Sequence, residues 1–142
     1  MEINDITSEI IGSAMRVHTA LGPGLLEKAY EACLLHELRK RGLQVCSQVE
    51  LPVVYDGIRI DVGFRIDLLV EDRVIVELKA CEGITPVFEA QLVSYLKLSG
   101  RPVGLLINFH VRHLRDGIKR FVEGKGKGWE KPLRASVPPV VS

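Results

Sequence analysis

Asp67, Glu77 and Lys79 are the residues of this chain whose types and spacing could do chemistry. Two carboxylates offer hard oxygen ligands to a divalent cation. A lysine beside them adds positive charge where a phosphoryl group gathers negative charge. Glu77 and Lys79 stand two apart in an apolar run, so on a strand they share one face. Whether Asp67 joins them depends on the elements that carry all three.

The stretch Phe64 to Cys81, FRIDLLVEDRVIVELKAC, reads as a β-hairpin. Two alternating apolar runs meet at the polar break Glu71-Asp72-Arg73. The alternation predicts Ile66, Leu68 and Val70 on one face, with Arg65 and Asp67 on the other. In the second run Val74, Val76, Leu78 and Ala80 share a face, opposite Glu77 and Lys79. If Val70 pairs with Val74 across a three-residue loop, Asp67 falls directly across from Glu77, with Cβ atoms roughly 5 Å apart. A two-residue loop would slip the register and turn Glu77 into the core, against the apolar pattern.

Further candidates come from the flanking helices. A helix over about Leu25 to Arg41 places Glu27 on the inward stripe with Leu34 and Leu38. A buried carboxylate must be paired, hydrogen-bonded or bound to metal. A bond from Glu27 to a backbone N–H at the helix start satisfies that need as well as a metal does. Thr85 and Pro86 open another helix that ends at Gly100. Its Gln91 and Tyr95 are one turn apart, and Gln91 is either a satisfied core amide or a donor that positions substrate. His18 edges the apolar stripe of a helix over 4–20, capped by Asn4 or Asp5; a lone histidine there is ordinarily a hydrogen-bonded core residue. Asp61 ranks below Asp67 because Gly63 intervenes and hides its facing.

The remaining elements complete one domain. Residues 43–55 alternate loosely up to the turn Asp56-Gly57. Pro102 to Phe109, PVGLLINF, suits a buried central strand, parallel to the one that carries Glu77 because a helix connects them. A last helix is predicted over about His113 to Val122. Beyond it the chain is rich in Gly, Lys and Pro, a tail expected to dock at most through Trp129. At 142 residues and 46% hydrophobic content, the chain suits a single core. No apolar run approaches the roughly 20 residues of a membrane span. The acidic amino terminus lacks a secretion-signal layout. Cys33, Cys46 and Cys81 are odd in number and widely spaced, which reads as reduced thiols in a cytoplasmic protein. Charge is uneven: residues 1–100 hold 10 Lys+Arg and 15 Asp+Glu, net −5, whereas residues 101–142 hold 9 and 3, net +6. A basic end is compatible with a polyanion partner, but charge alone favours the plainer reading of a solvated tail.

This order of elements, with Asp67 and Glu77-Leu78-Lys79 on a hairpin, resembles the PD-(D/E)xK nuclease superfamily. Gly24-Leu25-Leu26-Glu27-Lys28-Ala29-Tyr30 matches the GxxExxY signature of one small branch. His18-Thr19-Ala20-Leu21-Gly22 and Gln91-Leu92-Val93-Ser94-Tyr95 look like that branch's other marks. The likeness runs from about residue 5 to 122. It departs at Ile66-Asp67, where the superfamily often has Pro-Asp. The resemblance implies an α/β, restriction-endonuclease-like βββαβ core with two N-terminal helices and a C-terminal helix. The domain would occupy 1–123 and the basic tail 124–142.

The resemblance also implies roles. Asp67 and Glu77, with the Leu78 carbonyl, would ligate Mg²⁺, for which Mn²⁺ can substitute. Glu27 would be the acid contributed by the preceding helix, and Lys79 would orient a water and screen the phosphate. Gln91, Tyr95 and His18 would face substrate. The function expected is hydrolysis of DNA phosphodiester bonds, with nucleic acid as partner, no membrane, and a homodimer handling both strands. The alternatives are a non-catalytic nucleic-acid- or protein-binding module in a repair or defence assembly, and a plain salt-bridge cluster of Asp67, Glu77 and Lys79.

Overall fold

The computed structural model describes residues 1–123. The tail 124–142 and Trp129 lie outside the described residues. Helix α1 spans Ile3–Leu21 and α2 spans Glu27–Lys40. Strand β1 (Val45–Glu50) follows, then β2 (Val53–Tyr55) and β3 (Ile58–Ile60), β4 (Arg65–Val70) and β5 (Val74–Lys79). Helix α3 (Pro86–Ser99), β6 (Val103–Asn108) and β7 (Ile118–Val122) complete the fold. Five strands form one sheet in the order β1-β4-β5-β6-β7. The hairpin β2–β3 stands apart from it, turned at Asp56 and Gly57, both in left-handed backbone.

Each face of the sheet has its own core. Leu68, Val70, Val74, Val76 and Leu78 pack with Ile6, Ile10, Tyr30 and Leu34 of the first two helices. Leu69, Ile75 and Leu106 pack with Leu92, Val93 and Leu96 of α3. Strand β6 is buried along its whole length, as a strand covered on both faces must be. It runs parallel to β5, from Val74↔Val103 to Lys79↔Asn108. The Thr85 hydroxyl accepts from the Phe88 N–H, and Gly100 closes α3 in left-handed backbone, as the sequence anticipates.

Three expectations are corrected. The last helix is absent: residues 113–122 form a 3-10 turn (Leu114–Gly117) and then β7, antiparallel to β6. Ile118-Lys119-Arg120-Phe121-Val122 alternates, and pairing with β6 satisfies a buried strand's free edge, which a helix could not. The turn is tight at Gly117, where a Cβ would lie 2.2 Å from the Asn108 carbonyl oxygen. Helix α1 begins at Ile3 with Glu2 at its cap and no side-chain capping bond. Asn4 instead receives hydrogen bonds from Thr7 and Arg120. Finally, Ile66 does not side with Leu68 and Val70; it packs with Leu51, Leu69 and Leu92 on the α3 side. The cause lies at its neighbour Asp67.

Candidate active site

The loop at Glu71-Asp72-Arg73 has three residues, with Glu71 and Asp72 in left-handed backbone, and Val70 pairs with Val74. That register carries Asp67 toward Glu77, but the main-chain ladder stops at Leu68↔Val76. Beyond it the carboxylates act as acceptors in place of carbonyls. The Asp67 N–H donates to Glu77 Oε2 at 3.1 Å, and the Leu78 N–H donates to Asp67 Oδ2 at 2.9 Å. Asp67 is missing from the β1 ladder too, between Ser47↔Leu68 and Val49↔Ile66. Opposite it Gln48 takes left-handed backbone, and its amide donates to Asp67 Oδ1 at 3.4 Å and to Glu31 at 3.0 Å. With the ladder interrupted on both sides, the strict alternation of β4 breaks, and Ile66 turns to the other core.

The acids are concentrated where water is scarce. Glu77 is only 6% exposed. Burial pushes its carboxyl up to about 8, with a further rise from the Asp67 charge; the bond from the Asp67 N–H and the Lys79 charge oppose this. Burial also raises Asp67, against the Leu78 N–H bond and Lys79. Glu27, the first residue of α2, is half-buried and raised by burial and then by the Asp67 charge. Three carboxyls on three elements therefore lie close enough to feel one another's charge, and burial disfavours the ionised form of each.

Lys79 lies 4.3 Å from the centre of the Phe88 ring, held by its π face. Among the described residues it forms no ion pair with the three acids, so the plain salt-bridge reading lacks its bridge. Asn108 fixes the chain just past Lys79: its amide donates to the Cys81 carbonyl at 2.9 Å and its oxygen accepts from Cys81 N–H at 3.2 Å. From α3, Gln91 donates to the Tyr95 hydroxyl at 3.1 Å. Burial raises Tyr95, and so do the charges of Glu77 and Asp67, which places this phenol within the acids' field.

Tyr30 explains how the preceding turn aims Glu27. Its ring stacks on Phe109 at 4.3 Å, and its hydroxyl donates to the Gly22 carbonyl and accepts from Leu25 N–H at 3.0 Å. The turn 22–25 is thereby tied to the helix that carries Glu27. His18 takes another position: its Nε2 bonds the Val111 carbonyl at 2.8 Å, fastening α1 to the loop after β6. Asp61 is exposed and pairs with Arg59 at 3.1 Å. The sequence places Phe88 on the core stripe of α3 with Leu92, Tyr95 and Leu96, where it does pack, but does not show its contact with Lys79. Gln48 and Asn108 carry no signal in the sequence, because they become neighbours of the acids only through strand pairing.

A sequence model of the PD-(D/E)XK nuclease superfamily matches residues 4–121, from the start of α1 to the end of β7. The chain belongs to the PD-(D/E)XK nuclease superfamily. No curated protein and no solved structure matches it. PD-(D/E)XK nucleases generally use divalent metals. Among the described residues no three His, Cys, Asp or Glu side chains gather into a ready-made metal cage. The donor set still fits such an ion. Carboxylate oxygens are hard ligands, and Mg²⁺ needs only one or two carboxylates because it keeps several waters. No helix among the described residues is long and apolar enough to cross a membrane.

Proposed function

We propose that this chain is a Mg²⁺-dependent nuclease hydrolysing DNA phosphodiester bonds, of the GxxExxY branch. The observation that carries the reading is the reciprocal bonding of Asp67 and Glu77 into each other's strands, with both carboxyls raised by burial. In this reading Asp67 and Glu77 hold the metal and Glu27 supports it from α2. The ion, when bound, neutralises charge on the scissile phosphate and eases deprotonation of water.

The chain's own residues do the rest. Lys79, steadied on Phe88, presents a positive charge to the phosphate and orients the attacking water. Gln91 and Tyr95 form a hydrogen-bonded pair on α3 that faces substrate. His18 acts through the loop it fastens. Burial of Glu77 excludes bulk water from the ligand side of the site, which strengthens every charge interaction there. Three reduced cysteines support a cytoplasmic setting, and a homodimer would handle both strands.

Purified protein should cut DNA with Mg²⁺ and stop with EDTA. Lys79→Ala and Asp67→Asn should each lower the cleavage rate by at least about 100-fold, the loss seen when one preorganised charge is removed from such a site. Wild-type rates in either variant would refute the mechanism. DNA binding without cleavage would favour the non-catalytic module.

A further inference from the structure

A second cluster, apart from the acids, stands on the α1 side of the molecule. Arg112, His113 and Arg115 are exposed on the loop after β6, facing His18, Thr19 and Met15 of α1 across an open cleft of about 520 Å³. That volume lies in the range, roughly 300–1,000 Å³, that takes groups much larger than a water. Several cations elsewhere are engaged: Arg16 and Lys40 pair with Glu37, Arg101 with Asp72, and Lys119 with Glu89. Arg112 and Arg115 have neither an ion pair nor a side-chain hydrogen bond among the described residues, and the exposed Asp116 pairs with neither. Two arginines left unpaired on one wall of a cleft offer ten N–H donors to an anion.

The cleft is tied to the acid cluster through the backbone. Lys79 and Asn108 are partners at the ends of β5 and β6, and Phe109 N–H donates to the Lys79 carbonyl at 2.9 Å. The arginine loop continues directly from there. His110 bonds the Pro23 carbonyl at 3.1 Å, in the turn that leads to Glu27, and the Val111 carbonyl bonds His18. The arginine loop therefore leaves the sheet at the end where β5 carries Lys79, and it is anchored at three successive residues, Phe109, His110 and Val111. The arginines are held in place without their side chains being used.

We propose that this cleft is a second phosphate-binding subsite, gripping the backbone of the DNA strand at a phosphate other than the scissile one. It rests on the nuclease reading for its ligand. Arg112 and Arg115 are the phosphate donors, and His18 is a positioning residue that holds their loop. The recognition is of the sugar-phosphate backbone and carries no base specificity.

Binding of a fluorescently labelled DNA duplex, read by anisotropy in EDTA across a salt series, tests this. R112Q/R115Q should weaken Kd at least about tenfold and reduce the slope of log K against log salt by about 1–2, since each lost phosphate contact removes close to one. R112K/R115K, which restores the charge, should recover most of both. A circular dichroism melt of each variant checks the fold, which unpaired surface arginines do not support. If R112Q/R115Q binds with wild-type affinity and slope, the subsite is refuted while the acid cluster is untouched. If the double variant loses binding as described but wild type never cleaves with Mg²⁺, the subsite stands and the catalytic reading falls.

Discussion

Glu77 concentrates the chemistry of this chain at the scale of one residue. Its carboxyl is held near 8 where a free glutamate sits at 4.5, because burial and the Asp67 charge both disfavour ionisation. The folded protein thus holds a proton that the unfolded chain releases between those two values. Stability of the metal-free protein should fall as pH rises from about 4.5 through about 8, and level off above. Glu77→Gln mimics the protonated group and should remove most of that decline, Asp67 supplying a remainder of the same sign. Urea melts at a series of pH values measure it; equal slopes in variant and wild type would contradict the assignment. The pairing of Asp67, Glu77 and Lys79 is legible in the sequence, because a three-residue loop and a two-residue side-chain period suffice to bring them together. Their mutual hydrogen bonding is not, because it arises where the ladder ends.

At the scale of elements, the turn between α1 and α2 holds the start of the helix that carries Glu27. Tyr30 spans that turn with two hydrogen bonds and a stacked ring, and no other described side chain bonds both sides of it. Tyr30→Phe keeps the stack and removes both bonds, leaving the Gly22 carbonyl and Leu25 N–H without their partner. It should cost about 1–2 kcal/mol in a denaturant melt. If the reading of Glu27 is right, Mg²⁺-dependent cleavage should fall as well, by more than the stability loss explains. The same scale holds the clearest departures from sequence. The sequence reads as a helix over about 113–122, yet β6 leaves an edge that β7 fills. Alternation puts Ile66 on one face with Leu68 and Val70, yet the broken ladder at Asp67 and the left-handed Gln48 send it to the α3 core. In both places a neighbouring strand overrode a local pattern.

At the scale of the whole molecule, a cation held by three elements should act as a staple. Asp67 and Glu77 belong to the sheet and Glu27 to α2, so an ion that binds them favours the folded state by mass action. It binds the deprotonated carboxylates, so its effect grows with pH. Saturating Mg²⁺ should raise the melting temperature by several degrees at pH 8.5 and by less at pH 6, and EDTA should reverse both shifts. Asp67→Asn should abolish the pH 8.5 shift; an unaltered shift would move the metal elsewhere. What the sequence determined alone was everything that depends on short-range period and turn chemistry: the hairpin register, the capped helix α3, the buried parallel strand, and the facing of Asp67, Glu77 and Lys79. Tertiary structure decided what requires two distant segments to meet. That includes the β7 edge, the place of Ile66, the tie from His18 to Val111, and the arginine cleft beside it. Local propensity is set by each residue's own backbone and near neighbours, whereas these features exist only once burial has chosen which surfaces touch.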